Sequence, residues 1–154
     1  MPSGFDWQLI VEWIPSLIKG TITTIWISFF SLLLALTLGL VVSLLRLSHI
    51  NVVRRTASFY VDLIRGTPAL IQILAIYFGL PFFGISIPAI FAGIIALGVN
   101  SGAYISEMIR GALESIDPGQ MEASRSLGMS YSTSMRRIVI PQIFQVVIPP
   151  ITGE

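Results

Sequence analysis

The residues able to do chemistry are few and unevenly placed. Charged side chains make up 11% of the 154 residues. Most lie in two stretches, Arg46 to Arg65 and Glu107 to Arg137. His49 is the one histidine and there is no cysteine, so a His/Cys metal cluster is excluded. His49 itself reads as a solvated side chain in a loop. The sequence has no Gly-x-x-x-x-Gly-Lys-Ser/Thr run to cradle nucleotide phosphates. No nucleophile–base pair stands out, so neither a catalytic residue nor a metal ligand is expected. A net charge of +1 gives no reason to expect nucleic acid. Contact chemistry remains. The polar stretch Arg110 to Arg137 could dock a protein partner or merely connect two spans, and scattered amides and hydroxyls interrupt otherwise apolar runs.

Those interruptions are Gln72, then Asn100, Ser101 and Tyr104, then Gln142 and Gln145. Polar groups inside a membrane are costly and usually face a bundle interior or a water-filled path. Two readings stay open. Gln72, Asn100, Tyr104 and Gln142 could line a path for a zwitterionic solute. Equally, each could hydrogen-bond between helices, at about 0.6–2 kcal/mol per contact. Asn100 and Gln142 are the stronger pathway candidates because each lies near a helix-weakening Gly or Pro. Asp62 with Arg65, and Glu107 with Arg110, are spaced to neutralise each other locally on a helix. Gly98-x-x-x-Gly102 offers a close-packing face.

These residues need elements to hold them, and the composition says which kind. Hydrophobic residues make up 54% of the chain, whereas soluble domains carry about 45–50% apolar and about 25% charged residues. Crossing about 30 Å of hydrocarbon takes roughly 20 apolar residues in a helix. Ile22 to Leu45 meets this without a charge. Spans are expected at about 22–45, 57–83 and 85–106. A short Pro-containing run at 138–151 reads as a bent fourth span or a re-entrant segment. Residues 1–20 form an N-terminal tail and helix. This tail lacks the basic start of a signal peptide. Long continuous apolar runs argue against a β-barrel.

Arginine placement orients the spans. Arg46, Arg54 and Arg55 lie between the first two, Arg65 precedes Thr67 to Phe83, the apolar body of the second, and Arg110, Arg125, Arg136 and Arg137 follow the third. The turn Pro81 to Pro88 is uncharged. By the positive-inside rule both Arg-rich loops are cytoplasmic, and the N-terminus and the Pro81–Pro88 turn lie outside.

Within the loop 110–137, Asp117-Pro118-Gly119-Gln120 is a helix start. Asp117 can cap, Pro118 suits the first helical position, and Gln120 can reach back to the cap amide. Gly128 suits the left-handed position past a helix end. A short helix over Pro118 to Leu127 follows, with Ser130 or Ser132 capping the next.

Glu122-Ala123-Ser124, three residues, Gly128, nine residues, then Ile138-Val139-Ile140-Pro141 resembles the cytoplasmic signature of bacterial binding-protein-dependent ABC importer permeases. Ser124 stands for the second Ala of that pattern and Ile140 for its Leu. Arg65-Gly66-Thr67-Pro68 with Gln72, Tyr77 to Pro81, and Glu107 to Ile116 are similar to the polar amino-acid branch. The resemblance implies an all-α transmembrane bundle, the type I transmembrane domain, incomplete at the C-terminus. It implies a permease subunit in the bacterial cytoplasmic membrane that imports a polar amino acid. Its loop helix would fit a groove on an ATPase, with Glu122, Ala123, Ser124, Gly128, Ile138 and Pro141 as the coupling residues, Glu122 for a polar contact, Ala123 for close approach and Gly128 for the turn. ATP and Mg²⁺ would bind that partner, with no cofactor on this chain. Further partners implied are a second permease copy or paralogue, an extracytoplasmic solute-binding protein and membrane lipid. The alternatives are a permease for methionine or another small solute, and a truncated, non-transporting membrane scaffold.

Overall fold

The computed structural model describes residues 7–153, all in helices and short connections. Helix α1, Trp7–Arg46, is a single 40-residue element despite Pro15. It takes in the expected first span and residues 7–20 of the expected tail; residues 1–6 lie outside the described residues. Helix α2 is Asn51–Arg65 and α3 is Ala69–Leu74. A π-helical stretch, Ala75–Gly79, and a 3₁₀ turn, Leu80–Phe83, extend α3. Gly84, at φ 78°, then turns the chain. Helix α4 is Ala89–Ser115, α5 is Pro118–Ser126, and α6 is Tyr131–Ser134. A second π-helical stretch, Met135–Val139, leads into α7, Ile140–Ile151.

The core is the seam between α1 and α4, and it is built from small residues. On α1, Ser31, Ala35, Gly39, Val42 and Ser43 are buried at helical spacing. On α4 the buried set includes Ala92, Ala96, Gly98, Gly102, Ala103 and Ile105. Lipid tails are as apolar as leucine, so helix pairing in a membrane depends on close van der Waals contact rather than on burial from water. The glycines permit that contact. A Cβ on Gly98 would lie 2.6 Å from Leu34 Cδ2, and one on Gly39 would lie 2.6 Å from Ile105 Cγ2. The Gly98-x-x-x-Gly102 motif is therefore used, against Leu34, Ala35, Leu38 and Gly39. Ser31 Oγ adds a donated bond to Ile94 O at 3.3 Å.

The structure departs from the expected second span, 57–83. Its two halves, Asn51–Arg65 and Ala69–Phe83, meet at 102°. Pro68 lacks an N–H and disfavours helical backbone at Thr67, so the helix cannot run through. Gly66 fits the break because a Cβ there would come 2.9 Å from Asp62 O. The third helix runs past the expected 85–106, starting at Ala89 and ending at Ser115. The expected Asp62–Arg65 pair does not form among the described residues. Asp62 lies on the exposed face of α2, while Arg65 turns to Glu107 instead.

Each π-helical stretch ends two residues before a proline, Pro81 or Pro141. A proline cannot donate to the carbonyl four residues back and crowds it, so the preceding turn widens. The expected bend of the 138–151 run is absorbed in this way. Tyr131 to Ile151 stays helical, and Val139 and Val147 are buried, with α7 packed beside α4.

Candidate functional site

The loop after α4 is rigid for reasons visible residue by residue. Asp117 Oδ1 accepts from Gly119 N at 2.8 Å, the expected cap. The expected return contact from the Gln120 side chain is absent among the described residues; only its backbone N–H donates, to Asp117 O at 2.9 Å. At the other end, Met129 N donates to Ser124 O at 3.2 Å and Gly128 N to Arg125 O at 2.9 Å. With Gly128 at φ 80°, this is a Schellman ending with glycine at the left-handed position. Ser130, not Ser132, caps the next turn, accepting from Thr133 N at 3.3 Å.

Helix α5 has an inner and an outer face. Ser124 is buried, and its hydroxyl donates to Met121 O at 2.8 Å. Helix α5 rests on α6 and the Met135–Val139 stretch, where Ser134 is also fully buried. Glu122 and Ala123 are exposed, and Leu127 is 83% exposed. Glu122 has no ion-pair partner among the described residues, so neither Arg125 nor Arg136 holds it. Ile138 is half-buried and Pro141 is exposed at the start of α7.

The polar residues of the apolar runs fall into three separate settings. Gln72 and Asn100 meet: Asn100 Nδ2 donates to Gln72 Oε1 at 3.3 Å. The Gln72 amide also donates to Thr67 Oγ1 at 2.7 Å and Ile64 O at 2.8 Å, and lies 3.2 Å from Thr67 O. Gln72 thus satisfies carbonyls left open by the α2–α3 break. Tyr104 lies under the Arg65 guanidinium, 5.2 Å from the ring centre. Gln142 joins neither; its amide donates to Ile138 O, within its own helical run.

The sequence reading missed a charge hub. Glu107 was paired with Arg110 alone. In the structure it also accepts from Arg46 Nη1 at 2.6 Å and lies 3.7 Å from Arg65 Nη1. One carboxylate therefore ties the ends of α1 and α2 to α4, and Arg110 goes on to pair with Glu114. The Arg46 side chain is only 10% exposed. The available signal was that Arg46 ends an apolar run with no acid nearby in sequence.

The chain has recognisable relatives. Residues 35–153 match the family described as binding-protein-dependent transport system inner membrane component. A probable amino-acid ABC transporter permease protein of Bacillus subtilis, YckA, is 40% identical over 149 residues, covering 97% of this chain and 66% of its own length. The arginine transport system permease protein ArtQ of the same organism is 37% identical, covering 98% of this chain and 69% of its own length. The solved structure of an amino acid ABC transporter with histidines superposes with a TM-score of 0.91 at 40% identity, covering 98% of this chain and 71% of that one. An inward-facing methionine transporter, MetNI, shares the fold, with a TM-score of 0.64 at 24% identity. The chain spans about two thirds of the length of the curated relatives it matches.

Proposed function

Because this chain belongs to the family of binding-protein-dependent transport system inner membrane components, we propose that it forms part of the membrane path of an ATP-driven importer for a polar amino acid. The observation that carries the proposal is α5: a helix capped at both ends that leaves Glu122, Ala123 and Leu127 exposed. A rigid projection with an unpartnered acid and a small neighbour suits the groove of a cytoplasmic ATPase subunit. ATP and Mg²⁺ bind that subunit, and closure of an ATPase pair pushes on α5. Ser124, Gly128, Ile138 and Pro141 act by fixing the projection to α6 and α7 rather than by touching the partner.

The cargo reading draws on relatives named for arginine and glutamine. The methionine transporter is a more distant match, which favours a polar amino acid over methionine. Asn100 and Tyr104, both half-buried on α4, are the pathway residues this reading keeps, with Gln142 on α7. A second permease copy or paralogue completes the bundle, and a solute-binding protein meets the outer surface near Pro81 to Pro88. By the positive-inside rule, the arginines at 46, 54, 55 and 65 and at 110, 125, 136 and 137 favour a cytoplasmic α5 loop and an N-terminus outside.

The test is reconstitution of the full-length permease with its ATPase and solute-binding protein in proteoliposomes. Glu122→Lys is expected to insert and assemble normally but lose substrate-stimulated ATP hydrolysis. Full stimulation in that variant would sink the coupling assignment. Orientation is read separately, by labelling Arg125→Cys in intact cells with an impermeant thiol reagent; protection until the membrane is opened is the expected result.

A further inference from the structure

Helix α2 does not have the surface of a spanning helix. At about 100° per residue its side chains fall into three sectors. One, with Ala57 and Val61, is buried against α1 and α4. The second is polar and includes Arg54, Arg55, Asp62 and Arg65. The third is apolar yet open: Val52 is 73% exposed, Phe59 67% and Leu63 52%. A helix crossing hydrocarbon has no place for a charged stripe along its length, whereas a helix lying in the interface needs one.

The direction of α2 agrees. Helix α3 and the Ala75–Gly79 stretch that extends it both pack on α4, with Gln72 bonded to Asn100, so α3 runs beside α4. Helix α2 meets the α3 half at 102°, so α2 lies across the bundle. It crosses at the level of the Glu107 hub, where Arg65 reaches Glu107. Below it, on the side of the open apolar sector, α1 and α2 enclose a groove of about 600 Å³. Leu38, Val42 and Leu45 line one wall, and Val52, Thr56 and Tyr60 the other. On the opposite flank Arg54 and Arg55 have no carboxylate partner among the described residues; Arg54 bonds only to Asn51 Oδ1, at 2.8 Å.

We propose that α2 lies in the plane of the cytoplasmic leaflet, with its open apolar sector against lipid acyl chains and with Arg54 and Arg55, on its polar flank, drawing anionic phospholipid headgroups. The occupant is lipid because the apolar sector and the free guanidiniums sit on one helix at interface depth. Basic residues at that depth favour anionic headgroups by about 1 kcal/mol each. The choice of leaflet rests on the orientation proposed above; the in-plane geometry does not.

The test uses the full-length permease bound to its ATPase in nanodiscs, in a cysteine-free background. Spin labels are placed by Val52→Cys, Arg55→Cys, Phe59→Cys, Asp62→Cys and Leu63→Cys, and depth is read from oxygen against nickel-chelate accessibility. Labels at 52, 59 and 63 are expected to be oxygen-accessible, and those at 55 and 62 nickel-accessible. A steady ramp in depth along the helix would overturn the proposal in favour of a span. Shielding of all five from both reagents would overturn it in favour of a protein partner. In phosphatidylglycerol discs the Phe59→Cys label is expected to sit deeper than in phosphatidylcholine discs, and Arg54→Gln with Arg55→Gln should erase that difference. Equal depth in both lipids would overturn the anionic preference. Labelling of Arg125→Cys from outside would reverse the leaflet yet leave the depth pattern untouched, so the two failures are distinguishable.

Discussion

Gly128→Ala isolates the stiffness of the α5 ending from every contact around it. Gly128 has φ 80°, and nothing lies within 4 Å of where a Cβ would be. Alanine therefore meets no neighbour. Its only penalty is the left-handed backbone, about 1 kcal/mol. That is about a fivefold shift in the balance between turn formed and turn lost. Asparagine, whose short polar side chain tolerates this conformation, costs less, and a β-branched valine costs more. The expected order of affinity for the ATPase is Gly, Asn, Ala, Val, with alanine weakened by at most about fivefold, since affinity follows the fraction of molecules with the turn formed. Interferometry with full-length permease in nanodiscs and the ATPase in solution measures it. Thermal stability of the bundle should not move, because the α1–α4 seam is remote from this turn. A reversal of this order would refute the reasoning. So would a loss beyond about a hundredfold, or about 2.7 kcal/mol, since no contact around Gly128 is available to supply it.

Other outcomes follow from the same geometry. Gly39→Ala places a Cβ 2.6 Å from Ile105 Cγ2 and 2.8 Å from Ile105 Cβ; it should destabilise the detergent-solubilised protein by about 1–3 kcal/mol. Adding Ile105→Ala should rescue it only in part, because Ile105 Cβ remains. Glu107→Gln leaves the largely buried Arg46 short of its counter-charge and should cost about 3–5 kcal/mol, whereas Glu107→Leu with Arg46→Leu should cost less; thermal melts of the two variants decide it. Gln72→Leu opens the bonds at the α2–α3 break, so it should lower stability and uptake together. A fall in uptake with an unchanged melt would return Gln72 to the solute path.

Where local chemistry decides the conformation, the sequence was readable. Asp117 and Gly128 define α5 through bonds within a few residues, and both behave as expected. The first span and the glycine seam followed from run length and spacing. The bend within the expected second span was not legible, because a run of apolar residues carries no information on direction. Pro68 and Gly66 marked the break, but the 102° angle depends on packing against α4. The Glu107 hub was missed for a related reason. Spacing finds partners one turn away, such as Arg110, but not Arg46, which lies 61 residues back along the chain. Among the amides, sequence placed Gln72 and Asn100 in separate runs, and only the fold shows that they bond.

The hub also has a history written in chain order. Arg46 and Arg65 leave the ribosome well before Glu107. Under the orientation proposed above, they are by then the basic residues that the positive-inside bias reads, a bias to which acids contribute little. When α4 arrives, Glu107 neutralises them and ties α1 and α2 to it. The same guanidiniums thus serve first as a topogenic signal and later as a rivet.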